Sequence, residues 1–209
     1  MKYILLITTL TLGVCFSSFA LDRTKIADDA EDVTPLLIGQ KIPNSTLQTV
    51  DGDPVSLQAL TMQKPTVLIF YRGGWCPYCN RQLAGLKDIE LELTELGYQI
   101  LAISPETPAQ LQEQKLQSKF AVKLLSDPEV EAISGFGIGF YLPLITEKLY
   151  ETKMGITLTD EKATGKAVLP APAVFILDQK GLIKFSYVSP NYKVRMSPEL
   201  LVQAAKYSL

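Results

Sequence analysis

Two short apolar runs, with a helical pattern between them, are the strongest signals in the chain. Residues 66–71 (TVLIFY) and 98–104 (YQILAIS) have the length and composition of buried β-strands. Between them, apolar residues recur every three or four positions from Leu83 to Leu96, which predicts one amphipathic helix over 80–96 that Gly97 ends. The order strand, helix, strand favours an α/β fold.

Further elements follow on both sides of this unit. In chain order we predict a hairpin at 45–57, a helix at 107–120, a strand at 122–125, a helix at 128–133, strands at 173–177 and 182–188, and a final helix capped by Ser197. Residues 140–169 show no clean period, and we interpret them as an insertion that could cover a functional site.

The N-terminal residues are typical of a targeting segment. Lys2 precedes an apolar stretch over 3–16, and Ser18-Phe19-Ala20 supplies small residues at the positions a signal peptidase requires. We therefore expect residues 1–20 to be a cleaved signal peptide and the protein to be exported, either periplasmic or extracellular. The alternative is a retained membrane anchor, although the apolar stretch is short for a bilayer. Residues 21–35 are polar and acidic, and we expect a flexible lead-in to one domain at 36–209.

Composition narrows the class of partner. About 47% of the residues are hydrophobic, which is enough for a core in a chain of this length. The formal charge is −2 and no Lys/Arg run is present, so we expect no nucleic-acid partner. Contact with a membrane is expected only if the N-terminal segment is retained.

The candidate chemistry lies in one pair of cysteines. The chain has three cysteines and no histidine, and Cys15 falls within the expected signal peptide. Cys76 and Cys79 form a C-x-x-C directly after the first apolar run. No histidine or further cysteine completes a zinc site, and so small a loop would constrain the unfolded chain little as a structural disulfide. The pair therefore predicts redox chemistry in which the sulfurs carry the electrons without a cofactor.

The residues around the pair favour a reactive thiolate. If a helix begins near Cys76, its free N–H groups and positive dipole end lower the pKa of that sulfur. Pro77 suits the first helical position, where no hydrogen bond is lost. Cys79 is within disulfide reach one turn later. Arg72 can add positive charge, and Trp75 is expected at the rim beside the sulfurs.

Four segments carry a resemblance to a known family. They are residues 39–43 with 51–52 and 55–57, residues 70–79, residues 124–129 running to 136–137, and residues 172–178 with Gly181. Together they resemble the thioredoxin fold and, within it, the alkyl hydroperoxide reductase/thiol-specific antioxidant (peroxiredoxin-like) family. The resemblance implies an α/β fold with a central mixed sheet flanked by helices. The insertion at 140–169 would precede a strand that begins with a cis-proline, Pro172.

The chain departs from the peroxiredoxin pattern at two places. Laid on that pattern, Arg72 stands at its proline, Cys76 at its threonine and Cys79 at its peroxidatic cysteine. The family's peroxide-activating arginine would fall near Pro172, which leaves Arg72 or Arg195 to replace it. A thioredoxin-like pattern fits without exceptions: Cys76 attacks, Cys79 resolves, and Pro172 lies in cis opposite the sulfurs. Tyr78 completes the Cys-Pro-Tyr-Cys found in glutaredoxins.

The resemblance implies two enzyme functions, with a binding module as a third reading. One is a peroxidase that reduces peroxides through a Cys76–Cys79 disulfide, with a thioredoxin-like protein as electron donor. The other is a thiol-disulfide oxidoreductase acting on protein disulfides or thiols. A non-enzymatic binding module of the same fold would carry the pair as an unreactive disulfide.

Overall fold

The computed structural model describes residues 22–117 and 122–208. The predicted signal peptide at 1–20 lies outside these residues. Within them, no helix has both the length and the apolar character that crossing a bilayer requires.

The described residues form nine strands and seven α-helices. The strands are β1 (Thr46–Gln48), β2 (Pro54–Ser56), β3 (Thr66–Phe70), β4 (Gln99–Ser104), β5 (Lys123–Ser126), β6 (Gly139–Tyr141), β7 (Val168–Pro170), β8 (Ala173–Leu177) and β9 (Ile183–Val188). The helices are α1 (Leu57–Gln63), α2 (Pro77–Gly85), α3 (Glu90–Glu95), α4 (Pro108–Gln117), α5 (Glu131–Gly135), α6 (Leu144–Met154) and α7 (Pro198–Lys206). Two 3-10 helices cover Ala30–Asp32 and Leu86–Asp88.

Seven of these strands form one mixed sheet in the order β2-β1-β5-β4-β3-β8-β9. β3 is an interior strand of this sheet, parallel to β4 and antiparallel to β8. Every residue of β3 is buried because helices cover both faces of the sheet. This confirms the predicted α/β, thioredoxin-like fold with a central mixed sheet, and it confirms the buried strands at 66–71 and 98–104.

Alternation along β3 divides the core into two layers. Val67 and Ile69 pack in the cluster that contains Leu83 of α2 and Leu201 of α7, whereas Leu68 packs in the opposite cluster. Successive strand residues point to opposite faces, so one short apolar run supplies both layers. The helix that follows the strand is thereby held against the first layer, which fixes where the cysteine pair lies.

The single helix predicted for 80–96 is wrong. The segment forms α2, a 3-10 turn at Leu86–Asp88 and α3. Leu83, Leu86 and Leu93 are all buried, so the apolar period is kept although the hydrogen-bond pattern changes. α2 ends at Gly85, where a Cβ atom would lie 3.3 Å from Pro198. Glycine also weakens helix propagation there.

Within the lead-in predicted for 21–35, several of residues 22–35 form contacts. Ile26 is buried, and the Ala27 N–H donates to Gly139 O at 2.9 Å beside β6. Arg23 Nη1 donates to Pro35 O at 2.7 Å. The buried Ile26, the backbone hydrogen bond of Ala27 and the side-chain hydrogen bond of Arg23 hold this otherwise polar segment.

Residues 140–169 contain regular elements that their sequence did not reveal. β6 and β7 pair as a separate antiparallel ribbon, and α6 lies between them in the chain. No residue of α6 is buried. Its period was undetectable because the helix has no core-facing apolar stripe, which is the signal that sequence patterns depend on.

The cis peptide predicted at Pro172 is wrong, since no described peptide bond is cis. The Ala171 N–H donates to Ile138 O at 2.8 Å, and Pro172 O accepts from Ser189 N at 3.0 Å. These hydrogen bonds hold the segment extended into β8, and the trans bond is the ordinary state of an X-Pro peptide.

Candidate active site

The cysteine pair lies at the junction of β3 and α2. Cys76 is the N-cap residue of α2 and Pro77 is its first residue, as the sequence predicted. The Cys76 N–H donates to Gly73 O at 3.1 Å, and Cys76 O accepts from Asn80 N at 3.0 Å. Cys76 and Cys79 are free thiols that are 1% and 0% exposed. Reagents must therefore displace covering side chains to reach either sulfur.

Cys76 is the sulfur prepared as a thiolate. A hydrogen bond from the Cys79 thiol is the largest cause lowering its pKa, to about 6, followed by the backbone N–H of Cys79. The charges of Arg72 and Arg195 lower it further, while burial acts in the opposite direction. Donors and positive charge favour the ionised form of an acid, so these groups together outweigh the desolvation of the sulfur.

Cys79 is held as a thiol by the same surroundings. Burial is the main cause that raises its pKa, and its hydrogen bond to Cys76 and the negative charge of that sulfur raise it further. Arg195 Nη2 lies 3.3 Å from Cys79 Sγ and partly opposes this effect. The pair therefore consists of one thiolate and one thiol near neutral pH.

Arg72 is a buried cation stacked on aromatic rings. It is 4% exposed, and its guanidinium carbon lies 4.4 Å from the ring centroid of Tyr192 and 5.0 Å from that of Trp75. Its Nη2 donates to Tyr150 Oη at 3.1 Å, whereas its Nε has no acceptor in the described residues. Neither of the two ion pairs found in 22–117 and 122–208 includes it. Its charge therefore remains available to the sulfurs.

The other predicted site residues lie around this centre. Trp75 is half-buried against Tyr150, with ring centroids 5.3 Å apart, which matches the predicted position at the rim. Tyr78 packs edge-on against Tyr192 at 5.7 Å. Pro172 precedes β8, whose Ala173 pairs with Phe70 of β3, so the proline lies beside the start of the cysteine loop.

Sequence reasoning missed Glu106, which lies on the other side of the loop. It is 7% exposed, accepts the Gly74 N–H at 2.8 Å and accepts the Ser104 hydroxyl at 3.3 Å. Burial raises its pKa, and the negative charge of the Cys76 sulfur raises it as well. Its place could have been predicted, since it follows β4 at the same sheet edge where β3 delivers the cysteines.

Tyr150 and Tyr192 were also missed, and no sequence signal could have found them. Tyr150 lies on α6 within the predicted insertion, and Tyr192 follows β9. Only the packing of these segments over the cysteine loop brings them to Arg72. Arg195 stood in the sequence as a candidate cation, and the structure shows that it contacts Cys79.

Two cavities flank the cysteine loop. A groove of about 940 Å³ runs past Gly74, Trp75 and Glu106. A cavity of about 310 Å³ on the opposite side is lined by Tyr78 and Arg195. Among the described residues, no group of three or more His, Cys, Asp or Glu side chains is arranged to hold a metal ion.

Comparisons with known proteins agree with this geometry. Residues 38–186 match the AhpC/TSA family. The chain is 30% identical over 106 residues to peroxiredoxin Bcp of Escherichia coli, covering 51% of this chain and 67% of that one. It is 31% identical over 110 residues to peroxiredoxin bcp1 of Schizosaccharomyces pombe, covering 53% and 56%.

Solved structures support the same fold. Peroxidoxin BcpB from Mycobacterium tuberculosis superposes with a TM-score of 0.63 at 19% identity, covering 82% of this chain and 94% of that one. Reduced Prx3 from Vibrio vulnificus, in complex with H2O2, superposes with a TM-score of 0.65 at 17% identity, covering 81% and 99%. With the family match spanning the sheet and the cysteine pair, the chain belongs to the AhpC/TSA family and is a thiol oxidoreductase.

Proposed function

We propose that this protein is an exported peroxidase in which Cys76 attacks the peroxide. The thiolate attacks one peroxide oxygen, so that an S–O bond forms while the O–O bond breaks and Cys76 becomes a sulfenic acid. The other oxygen leaves as hydroxide or alkoxide and takes up a proton to give water or an alcohol. The Cys79 thiol then condenses with the sulfenic acid, releasing water and forming the Cys76–Cys79 disulfide. Two electrons from a thiol donor restore the dithiol.

The observation that carries this proposal is the unequal preparation of the two sulfurs. The pKa of Cys76 is lowered to about 6, so most of it is ionised near neutral pH. Burial favours the protonated form of Cys79, so this sulfur does not compete with Cys76 for the peroxide. The thiolate is the nucleophilic form of cysteine, which assigns the first step to Cys76.

This assignment opposes the alignment with the peroxiredoxin pattern, which places Cys79 at the peroxidatic position. The two cationic side chains offer a physical reason for the change. Arg72 takes the place of the pattern's proline, and its charge lowers the pKa of Cys76. Arg72 and Arg195, whose charges both lower the pKa of Cys76, together take the role of the activating arginine expected near Pro172.

The alternative enzyme is a thiol-disulfide oxidoreductase with the same nucleophile. The burial of both sulfurs in the reduced pair favours a peroxide as the molecule that Cys76 attacks, because a peroxide is far smaller than a protein disulfide. A small molecule can reach the sulfurs once Trp75 or Tyr150 moves aside. Binding a polypeptide at the same place would require a larger rearrangement. The third reading, an unreactive disulfide in a binding module, conflicts with a thiolate poised by two cations.

Two further parts of the proposal come from sequence. The family resemblance supports a thioredoxin-like protein as electron donor. Residues 1–20 support a location outside the cytoplasm, periplasmic or extracellular.

The test uses Trp75, the only tryptophan of the chain, which adjoins Cys76. The reduced protein is mixed rapidly with hydrogen peroxide and the fluorescence of Trp75 is followed. We expect oxidation far faster than that of a simple dithiol. Because the rate follows the thiolate fraction, it should rise through about pH 6 and level off above about pH 7.

Three outcomes would contradict the proposal. Oxidation at the rate of a simple dithiol, together with rapid reduction of insulin disulfides, would identify a disulfide exchanger. A pair that resists both peroxide and reductant would identify a binding module. A rate that rises only above about pH 8 would show that the lowered pKa of Cys76 does not govern the reaction.

A further inference from the structure

The cavity of about 310 Å³ beside Cys79 has a composition suited to a small anionic ligand; we call it the Arg195 cavity. It lies between α2 and the start of α7. Its apolar surface comes from residues such as Leu86, Val174 and Leu201. Its volume is at the lower end of the range of small-molecule sites, about 300–1,000 Å³. The cavity therefore admits a ligand of a few heavy atoms rather than a polypeptide.

Three cations line the Arg195 cavity, and its described lining contains no carboxylate. They are Arg81, Lys193 and Arg195. Arg81 lies over the ring of Tyr78 at 5.8 Å and Lys193 over the ring of Tyr192 at 5.8 Å, and these two rings pack against each other. The rim therefore presents two cations fixed on a pair of tyrosines, and its field attracts anions.

Two residues that line the cavity also carry buried polar side-chain atoms that lack partners in the described residues. Arg195 Nε and Nη1 are buried without an acceptor in the described residues, and Gln82 Oε1 is buried without a donor. Buried polar atoms in proteins are nearly always hydrogen-bonded, so such a cluster of exceptions calls for an explanation. A bound molecule carrying an anionic oxygen or sulfur would satisfy the guanidinium.

The position of the cavity indicates at which step its ligand reacts. Arg195 joins the cavity to Cys79, since its Nη2 lies 3.3 Å from that sulfur. Peroxide reacts with the other cysteine under the proposed function. A molecule that enters beside Cys79 can react there only when the pair is a disulfide.

We propose that the Arg195 cavity admits a carboxylate-bearing low-molecular-weight thiol, which reduces the Cys76–Cys79 disulfide by attacking Cys79. This rests on the proposed function and names a second electron donor beside a thioredoxin-like protein. Arg81 and Lys193 attract the carboxylate, and Arg195 holds the attacking thiolate near the sulfur.

The chemistry of this step balances with two equivalents of the thiol. The first thiolate forms a sulfur–sulfur bond with Cys79, and the bond to Cys76 breaks, releasing Cys76 as a thiolate. The second thiol attacks the mixed disulfide, giving the symmetrical small-molecule disulfide and the Cys79 thiol. A thiol with a low pKa is the better leaving group, and Cys76 is the cysteine whose pKa is lowered. Attack at Cys79 therefore expels the better leaving group.

The test compares three small thiols as reductants of the oxidised protein, with Trp75 fluorescence as the readout. They are 3-mercaptopropionate (anionic), 2-mercaptoethanol (neutral) and cysteamine (cationic). Each is measured on the wild type and on the double variant Arg81→Gln/Lys193→Gln, so that the intrinsic reactivity of each thiol cancels in the ratio. Lys148→Gln/Lys184→Gln, which removes two exposed lysines outside the cavity, is the matched control.

We expect the cavity variant to lower the rate with 3-mercaptopropionate by about 3- to 10-fold and to change the rate with 2-mercaptoethanol by less than about 2-fold. The rate with cysteamine should rise. The control should change none of these ratios, and about 1 M salt should remove the difference. Equal effects on all three thiols, or equal effects of the control variant, would overturn the inference.

A second measurement locates the attack. Acid quenching during reduction, followed by mass spectrometry of peptides, should find the mercaptopropionate adduct on Cys79. An adduct on Cys76 alone would overturn the inference even if the rates are selective. Rapid oxidation by peroxide in the same preparation separates this failure from failure of the proposed function, because it does not depend on the reductant.

Discussion

The two sides of the cysteine loop differ in charge and in how completely their polar groups are paired. On the groove side, Glu106 accepts the Gly74 N–H, Asn80 Nδ2 donates to Gly74 O at 2.6 Å, and Gln114 Nε2 donates to Asn80 Oδ1 at 3.3 Å. On the other side, Arg195 contacts Cys79 while two of its nitrogens stay unpaired in the described residues. The first side is a closed hydrogen-bond network, whereas the second has hydrogen-bonding capacity left over.

This difference indicates that one side of the loop maintains its geometry, whereas the other side acts on the sulfurs. A satisfied buried network fixes the geometry of the loop and leaves nothing for a ligand to bind. A buried hydrogen-bond donor without an acceptor destabilises the folded state, unless it interacts with a charged group or a bound ligand. The network around Glu106 therefore positions the loop, while Arg72 and Arg195 act on the sulfurs. Replacing groups on each side should produce effects that differ in size and in sign.

The largest effect is expected for the cysteines themselves. Cys76→Ser should reduce peroxide turnover to background, because the nucleophile is lost. Cys79→Ser should also stop turnover but allow one rapid oxidation, leaving a sulfenic acid on Cys76. Dimedone labelling with mass spectrometry measures this, with Cys76→Ser/Cys79→Ser as the blank. If Cys76→Ser oxidises rapidly and Cys79→Ser does not, Cys79 is the peroxidatic residue.

A smaller effect is expected for Arg72→Gln. Loss of a nearby positive charge favours the thiol, so the pKa of Cys76 should rise by about 1 unit or more. Peroxide oxidation well below pH 6 should slow by about 10-fold, since in that range each unit of pKa changes the thiolate fraction tenfold. Thiolate absorbance against pH measures the shift.

Arg72→Lys is the matched variant, because it keeps the charge but loses the stacked planar group. In Arg72→Lys the pKa of Cys76 should therefore stay close to its low wild-type value. An unchanged titration in Arg72→Gln, with the fold intact by circular dichroism, would reject the electrostatic role of Arg72.

The smallest effect, and the opposite sign, is expected for Glu106→Gln. Burial is the main cause that raises the pKa of Glu106, and repulsion from the negative charge of Cys76 raises it further. Removing the carboxylate should therefore lower the pKa of Cys76, by less than 1 unit, while the amide oxygen still accepts the Gly74 N–H. The same thiolate titration measures it. A rise in the pKa of Cys76 would show that Glu106 acts by holding the loop rather than through its charge.

The parts of the fold that sequence predicted are those with local causes. The apolar run that follows Thr66 has the length of a strand and predicted β3. Pro77, next to Cys76, predicted the start of α2. Ser197 caps α7 by accepting the Leu200 N–H, as its position before Pro198 indicated. Each of these signals depends on residues within about one turn of one another. The local pattern was therefore sufficient to place the cysteine pair.

The wrong predictions concern features whose causes are distant in the chain. The break after Gly85 lies where Pro198 packs closely against the end of α2. The trans bond at Pro172 is held between hydrogen bonds to Ile138 and Ser189. None of these partners can be inferred from a local window.

The same division applies to the site. The sequence by itself determined a C-x-x-C at the start of a helix, with Arg72 close by, because covalent spacing and helix geometry fix those relations. Only the tertiary structure decided which sulfur is the thiolate, since that depends on Arg195, on the burial of Cys79 and on tyrosines from α6 and beyond β9. A pKa is set by charges and solvent access in space, and the fold brings those groups together from remote positions in the chain.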